Sequence, residues 1–262
     1  MQEKSGKGRQ SGSVHVGTAG WSIPTRAKDH FPPVGTHLER YAQTLPVVEI
    51  NTSFYRPHRR ASYQKWAASV PPDFRFSVKL PKSITHERRL SNCSDLVERF
   101  AEESGGLGDK LGTVLVQLPP SFAFPGEMAE RFFEDLKAAT GVNLVLEPRH
   151  ATWFSADVDA MLVRQRIARV AADPAPHVSG GHPGGWTKLA YFRLHGAPQI
   201  YASRYDLEAV AAHASVVASL AAGGAEVWTI YDNTMHGAAT ENAVEFRNLS
   251  ENFHDLQQRL AP

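Results

Sequence analysis

The chain has 262 residues, 42% hydrophobic and 21% charged, with 28 Lys and Arg against 27 Asp and Glu and a formal net charge of +1. That balance, with a pI of about 8.0, gives no global attraction to nucleic acid or to an anionic membrane, so any preference for anions must be local. A single cysteine, Cys93, excludes an intrachain disulfide framework and suits a reducing cytoplasm.

Residues 1–13 are polar, lack the apolar core of a signal peptide and read as a disordered or appended tail. Residues 14–262 are long enough for one α/β barrel domain of about 250 residues. No apolar run reaches the roughly 18 residues of a membrane helix, so no membrane contact is expected and the protein is placed in the cytoplasm.

In chain order, strands are predicted at Val14 to Thr18, Val47 to Asn51, Phe74 to Lys79, Thr113 to Leu118, Asn143 to Glu147, Ile167 to Ala172, Ala190 to Leu194 and Val227 to Tyr231. Helical patterns lie between most of them: Thr36 to Leu45, Ala61 to Ser69, Ser94 to Glu103, Glu127 to Ala139, Ala156 to Arg164, Asp206 to Ala222 and Ala238 to Leu260. Strand and helix alternation predicts a parallel sheet with crossover helices, and eight repeats predict closure into a TIM-like (β/α)8 barrel. Asp206 is an expected N-cap and Gly223-Gly224 an expected helix stop. After strand six the pattern breaks. Residues 173–188 carry four glycines and three prolines, which oppose a helix and leave either a lid at the barrel mouth or an exposed replacement for the missing helix.

Each strand ends in polar groups, and barrel enzymes gather their working residues at strand C-termini. Period-two alternation puts Glu49 with Asn51, Ser77 with Lys79, Leu115 with Gln117, Val145 with Glu147 and Arg149, and Tyr191 with Arg193 and His195 on common faces. If those faces point inward, Glu49 and Glu147 are candidate acid/base carboxylates, and Lys79 is a candidate proton-transfer or Schiff-base lysine. Arg149 and Arg193 offer fork geometry for a carboxylate or phosphate. His195, His86, Asp232, Asn51, Gln117 and Asn233 are candidates to orient such a ligand, and Gly237-Ala238-Ala239 could open backbone N–H groups to it at the last helix. Trp21, Phe54, Tyr55, Trp153 and Tyr201 each follow a strand tip closely enough to line the mouth. No paired metal-ligand spacing such as His-Glu-x-x-His occurs, so no metal ligands are assigned and no cofactor is predicted, although the His and carboxylate supply leaves room for a divalent metal.

Seven ordered segments resemble the YecE-like family, a domain of unknown function whose members are TIM barrels: Val16 to Trp21, Val48 to Tyr55, Phe74 to Lys79 with Ile84 to His86, Gln117 to Pro120, Glu147 to His150 with Trp153, Arg193 to Gly196, and Tyr231 to Asn233. The resemblance implies the barrel and a shared pocket, and no reaction. Pro148 departs from it, standing where the family usually has an aromatic. The expected function is an enzyme acting on a small anionic or phosphorylated substrate, with sugars among the candidates, through carboxylate acid/base chemistry. Two rivals remain open. One is a metal-assisted phosphodiesterase or nuclease, by analogy of fold with barrel-type DNA repair endonucleases. The other is a non-catalytic nucleic-acid or metabolite-binding module using the basic loops His58-Arg59-Arg60 and His86-Glu87-Arg88-Arg89.

Overall fold

A computed structural model describes residues 11–260, with side chains through residue 251. The strands are β1 (Val14–Ala19), β2 (Val47–Ile50), β3 (Arg75–Lys79), β4 (Leu111–Gln117), β5 (Asn143–Glu147), β6 (Ala168–Arg169), β7 (Ala171–Asp173), β8 (Gly184–Gly185), β9 (Leu189–Leu194) and β10 (Glu226–Tyr231). The helices are α1 (His37–Ala42), α2 (Arg60–Ala68), α3 (Ser94–Ser104), α4 (Glu127–Thr140), α5 (Ala156–Gln165), α6 (Leu207–Ala222) and α7 (Ala238–Leu260).

All ten strands share one sheet in the order β7-β9-β10-β1-β2-β3-β4-β5-β6-β8. Only Val170 separates β6 from β7, and its N–H donates to the Leu146 carbonyl at 2.9 Å. The two are halves of one sixth barrel strand. The first half pairs in parallel with β5 and the second with β9, so the ring closes through this strand and the TIM-like barrel is formed. The other barrel neighbours are parallel as well.

The tail expected over residues 1–13 lies mostly outside the described residues. Its last part is built into the barrel floor: the Gly12 N–H donates to the Ala221 carbonyl and the Val227 N–H to the Ser13 carbonyl, both at 2.8 Å. The expected helix punctuation is present. The Asp206 side chain accepts from the Ala209 N–H at 2.8 Å, and Gly224 takes the left-handed φ of 85° that ends α6. No helix follows strand six. The chain passes through a short turn, Val178–Gly181, to β8, which pairs antiparallel with β6 on the outside of the barrel. Gly185 has a φ of +62°, and a Cβ there would lie 2.6 Å from the Ile167 carbonyl oxygen, so this close approach needs glycine. The segment takes the place of the missing crossover helix.

Two apolar layers result from the strand alternation. One face of each strand packs against the helices in a large core that includes Phe76, Val114, Leu146 and Phe192. The other faces inward, where Val47, Leu115, Val145, Ala168, Val170, Leu189, Tyr191, Trp228 and Ile230 fill the barrel. Above them the same inward faces change from apolar to ionic.

Candidate functional site

The ionic layer is organised by Arg193, which has no exposed surface. It forms a fork with Glu49, from Nε to Oε2 at 3.0 Å and from Nη2 to Oε1 at 2.7 Å. Nη2 also donates to Asp232 Oδ2 at 2.9 Å, and Nη1 to Glu147 Oε2 at 2.7 Å. Four of its five N–H hydrogens are therefore used on three carboxylates. Arg193 was expected to grip an anionic ligand; in the fold it is the counter-ion of the carboxylates and has one N–H left.

Glu147 ends β5 with both oxygens held. The Gln117 amide donates to Oε1 and Oε2 at 2.9 and 3.0 Å, Arg149 donates to Oε1 at 3.2 Å, and His195 Nε2 lies 3.3 Å from Oε1. Burial works against the Glu147 charge, but Arg193, His195 and Arg149 outweigh it and hold the carboxyl well below its usual range. Asp232 behaves alike: burial opposes its charge, and Arg193 and His195 lower its pKa. The Tyr191 hydroxyl, one layer down, donates to Glu49 Oε2 at 3.0 Å and accepts from the Ser77 hydroxyl at 2.9 Å.

His195 bridges the two low-pKa carboxylates, with Nδ1 3.0 Å from Asp232 Oδ2. A neutral imidazole donates through one nitrogen only, so two ionised partners call for the doubly protonated ring. Burial disfavours that charge, but the hydrogen bonds to Asp232 and Glu147 prevail and raise the His195 pKa above 6.5.

Lys79 differs from every other ion of the layer. It is 5% exposed, and its Nζ sits 4.2 Å from the centre of the Phe54 ring, with no hydrogen bond or ion pair among the described residues. Burial and the Arg193 charge push its pKa down to about 8, against the pull of Glu49, Glu147 and Asp232. His86 also packs on Phe54, edge to face with ring centroids 4.9 Å apart. Its pKa is lowered by burial and then by the Lys79 and Arg149 cations, so it faces the mouth as a neutral ring. Arg149 keeps 29% of its side chain exposed there.

Trp21, Asn51 and Tyr55 line a separate cleft of about 570 Å³ at the same end of the barrel. Asn233 is not in the mouth. Its Nδ2 donates to the Ser203 carbonyl at 2.9 Å and to Asn242 Oδ1 at 3.0 Å, tying a loop to α7. Trp153 is fully buried, donates to the Phe122 carbonyl at 2.8 Å and packs on Phe133, so it belongs to the core. Gly237 serves tight packing: a Cβ there would lie 2.9 Å from Pro24. Sequence reasoning left Tyr191, Ser77 and Phe54 without their roles here. The signal for Tyr191 was its place two and four residues before Arg193 and His195 on one strand face.

Among the described residues no group of three or more His, Cys, Asp or Glu side chains is arranged to hold a metal ion. The carboxylates that would supply one are bonded to Arg193. In the basic loops, Arg60 donates to the Glu102 carbonyl, Arg88 to Asp95 and Arg89 to Ser121, so these cations are engaged with their own fold. No described helix is long and apolar enough to cross a membrane.

Comparison with known proteins agrees with the barrel. A DUF72 family protein from Thermotoga maritima superposes with a TM-score of 0.75 at 25% identity, covering 91% of this chain and 99% of that one. One from Enterococcus faecalis gives 0.76 at 22% identity, covering 91% and 95%. The UPF0759 protein YecE of Escherichia coli is 29% identical over 177 residues, or 64% of this chain and 62% of that protein. The UPF0759 protein YunF of Bacillus subtilis is 29% identical over 155 residues, or 54% and 52%. The matched stretch thus spans less than two thirds of either curated relative. Residues 15–262, nearly the whole chain, match the family described as a protein of unknown function, DUF72, and the chain belongs to that family.

Proposed function

We propose that the barrel is an enzyme that binds a small anionic or phosphorylated substrate at its mouth, with Lys79 as the group that exchanges a proton or attacks a carbonyl. The observation that carries this reading is Lys79 itself, a buried amine without a hydrogen-bond partner among the described residues, whose pKa of about 8 lies near neutrality. An ionic layer built only for stability would have paired it.

Charge balance supports an anion. Glu49, Glu147 and Asp232 carry three negative charges, matched by Arg193, Arg149 and protonated Lys79. Protonated His195 adds a positive charge that a bound anion would neutralise. Arg149, partly exposed and held by Glu147 and Tyr201, would meet the anion first. The acid/base role expected of Glu147 fits less well, since a carboxylate held ionised by so many N–H groups is a weak base and no acid at neutral pH. Glu147, Glu49 and Asp232 act instead through the charges they hold in place.

Thermal melting of the purified protein with inorganic phosphate and small carboxylates tests the reading. An anion at about 100 times its dissociation constant should add roughly 2.7 kcal/mol, and that gain should vanish in Arg149→Ala and shrink as pH rises past the Lys79 pKa. Absence of stabilisation by any anion, or stabilisation that survives both Arg149→Ala and Lys79→Met, would end it.

A further inference from the structure

Beside the ionic mouth, the cleft of about 570 Å³ lies between the ends of β1 and β2 and the start of α7. We infer that this cleft is a carbohydrate subsite that takes a neutral, hydroxyl-rich sugar ring among Trp21, Tyr55 and Trp66, with a ring hydroxyl donating to Asn51 Oδ1.

The chemistry of the walls leads to that ligand class. Asn51 lines the cleft, and its Oδ1 is buried with no hydrogen-bond partner, so the site lacks a donor that a ligand can bring. The hydroxyls nearby point the same way. Thr18 Oγ1 donates to the Gly20 carbonyl at 2.5 Å, and Thr240 Oγ1 to the Ser22 carbonyl at 3.0 Å. The hydrogens of both hydroxyls are thus used inside the fold. The lining holds Ser22, Thr52 and Thr234 hydroxyls as well and no Lys, Arg, Asp or Glu, which suits a neutral ligand with several O–H groups.

The apolar part of the lining is aromatic. Trp21 meets Trp66 edge to face with centroids 5.2 Å apart, and Tyr55 leaves 70% of its surface exposed. A sugar ring matches such a lining, since its C–H faces pack on aromatic rings while its hydroxyls reach the rim. The Tyr55 ring packs on Phe54 with centroids 5.0 Å apart, and Phe54 also lies against Lys79. The cleft and the ionic mouth therefore share one aromatic wall, and a sugar bearing an anionic group would span both. The subsite itself stands on its own residues and does not need the anion reading.

Tryptophan fluorescence in phosphate-free buffer, titrated with neutral D-ribose, D-xylose, D-glucose, D-galactose and D-mannose to high millimolar concentration, tests the assignment apart from any anion. At least one sugar should give a saturable change, weakened roughly tenfold in Asn51→Ala, about the worth of one hydrogen bond. Tyr55→Ala, at an exposed position that leaves the core alone, should weaken the same titration, and circular dichroism checks that both variants are folded. No saturation with any of the sugars overturns the proposal. So does binding that is undiminished in both variants, or saturation with free adenine in place of every sugar.

Discussion

Replacing Lys79 with methionine should stabilise the protein at neutral pH, the reverse of what removal of a charge from an ion network usually does. The Lys79 pKa falls from 10.5 to about 8, chiefly because burial disfavours the ammonium and because Arg193 repels it, with Glu49, Glu147 and Asp232 recovering part. At about 1.4 kcal/mol per pH unit, this corresponds to on the order of 3 kcal/mol of destabilisation carried by the charged form. Attraction to the Phe54 ring returns about 1 kcal/mol. Between pH 8 and 10.5 the unfolded chain binds the proton that the folded chain has released, so stability from this group rises with pH across that window. Below it the penalty is present in full. Methionine has similar length and volume and no charge to desolvate. Lys79→Met should therefore exceed the parent by about 2 kcal/mol at pH 7, and the gap should close toward pH 10. Urea unfolding of both proteins at the two pH values measures it directly. A variant less stable at pH 7, or a gap that does not change with pH, would show that the amine is satisfied in the fold and refute the reasoning.

Glu147→Gln leaves Arg193 and His195 facing a neutral amide in a dry site and should lower stability by about 3–5 kcal/mol in denaturant unfolding; a loss below about 1 kcal/mol would mean that the site is wetter than its burial indicates. For His195, nitrogen NMR should find both ring nitrogens protonated at pH 7. Its raised pKa contributes stability that is complete below 6.5 and is lost as pH climbs through the folded value, and a neutral ring at pH 7 contradicts the bridging geometry. Gly17→Ala tests barrel closure, since a Cβ there would lie 2.0 Å from the Val47 carbonyl oxygen; it should abolish folded protein on size exclusion, and a native-like variant would show that β1 and β2 have room to separate.

Much of the site was legible because strand periodicity is strict. Glu49, Lys79, Gln117, Glu147, Arg193 and His195 share inward faces with Val47, Ser77, Leu115, Val145 and Tyr191, as alternation requires. Helix boundaries followed from Asp206 and Gly224, whose chemistry is local. What local pattern does not carry is partner choice across the barrel. Arg193 and Glu49 are 144 positions apart, and no spacing rule tells that one arginine would use four N–H groups on three carboxylates. Nor could position alone separate Trp153, which turns into the core, from Trp21 and Tyr55, which line a cleft: all three follow strand tips. Asn233 was misplaced for a related reason. It stands one residue past Asp232, so its side chain falls on the opposite face and reaches Asn242.

Arg193 has a consequence for Lys79 that links the structural layer to the chemistry proposed for it. Three buried carboxylates alone would hold a nearby ammonium strongly protonated, with a pKa above 10.5. By neutralising them at 2.7 to 3.0 Å, and by adding its own charge to the repulsion of Lys79, Arg193 turns a field that would trap a proton into one that releases it. The layer beneath shows that the same strands can fill the barrel with Val47, Leu115, Val145 and Ile230, and replacing buried ion clusters by apolar side chains is often neutral or stabilising. Stability is therefore a poor reason for an ionic layer placed only at the strand C-termini, where barrel sites lie. The quantity to measure is the Lys79 pKa, read by carbon NMR of the reductively methylated amine, in the parent and in an Arg193→Met, Glu49→Gln double variant. That pair removes one charge of each sign and leaves Glu147 and Asp232 facing Lys79 without their guanidinium. The Lys79 pKa should rise from about 8 back toward or beyond 10.5. A value that stays near 8 would assign the depression to burial alone and leave Arg193 a purely structural ion.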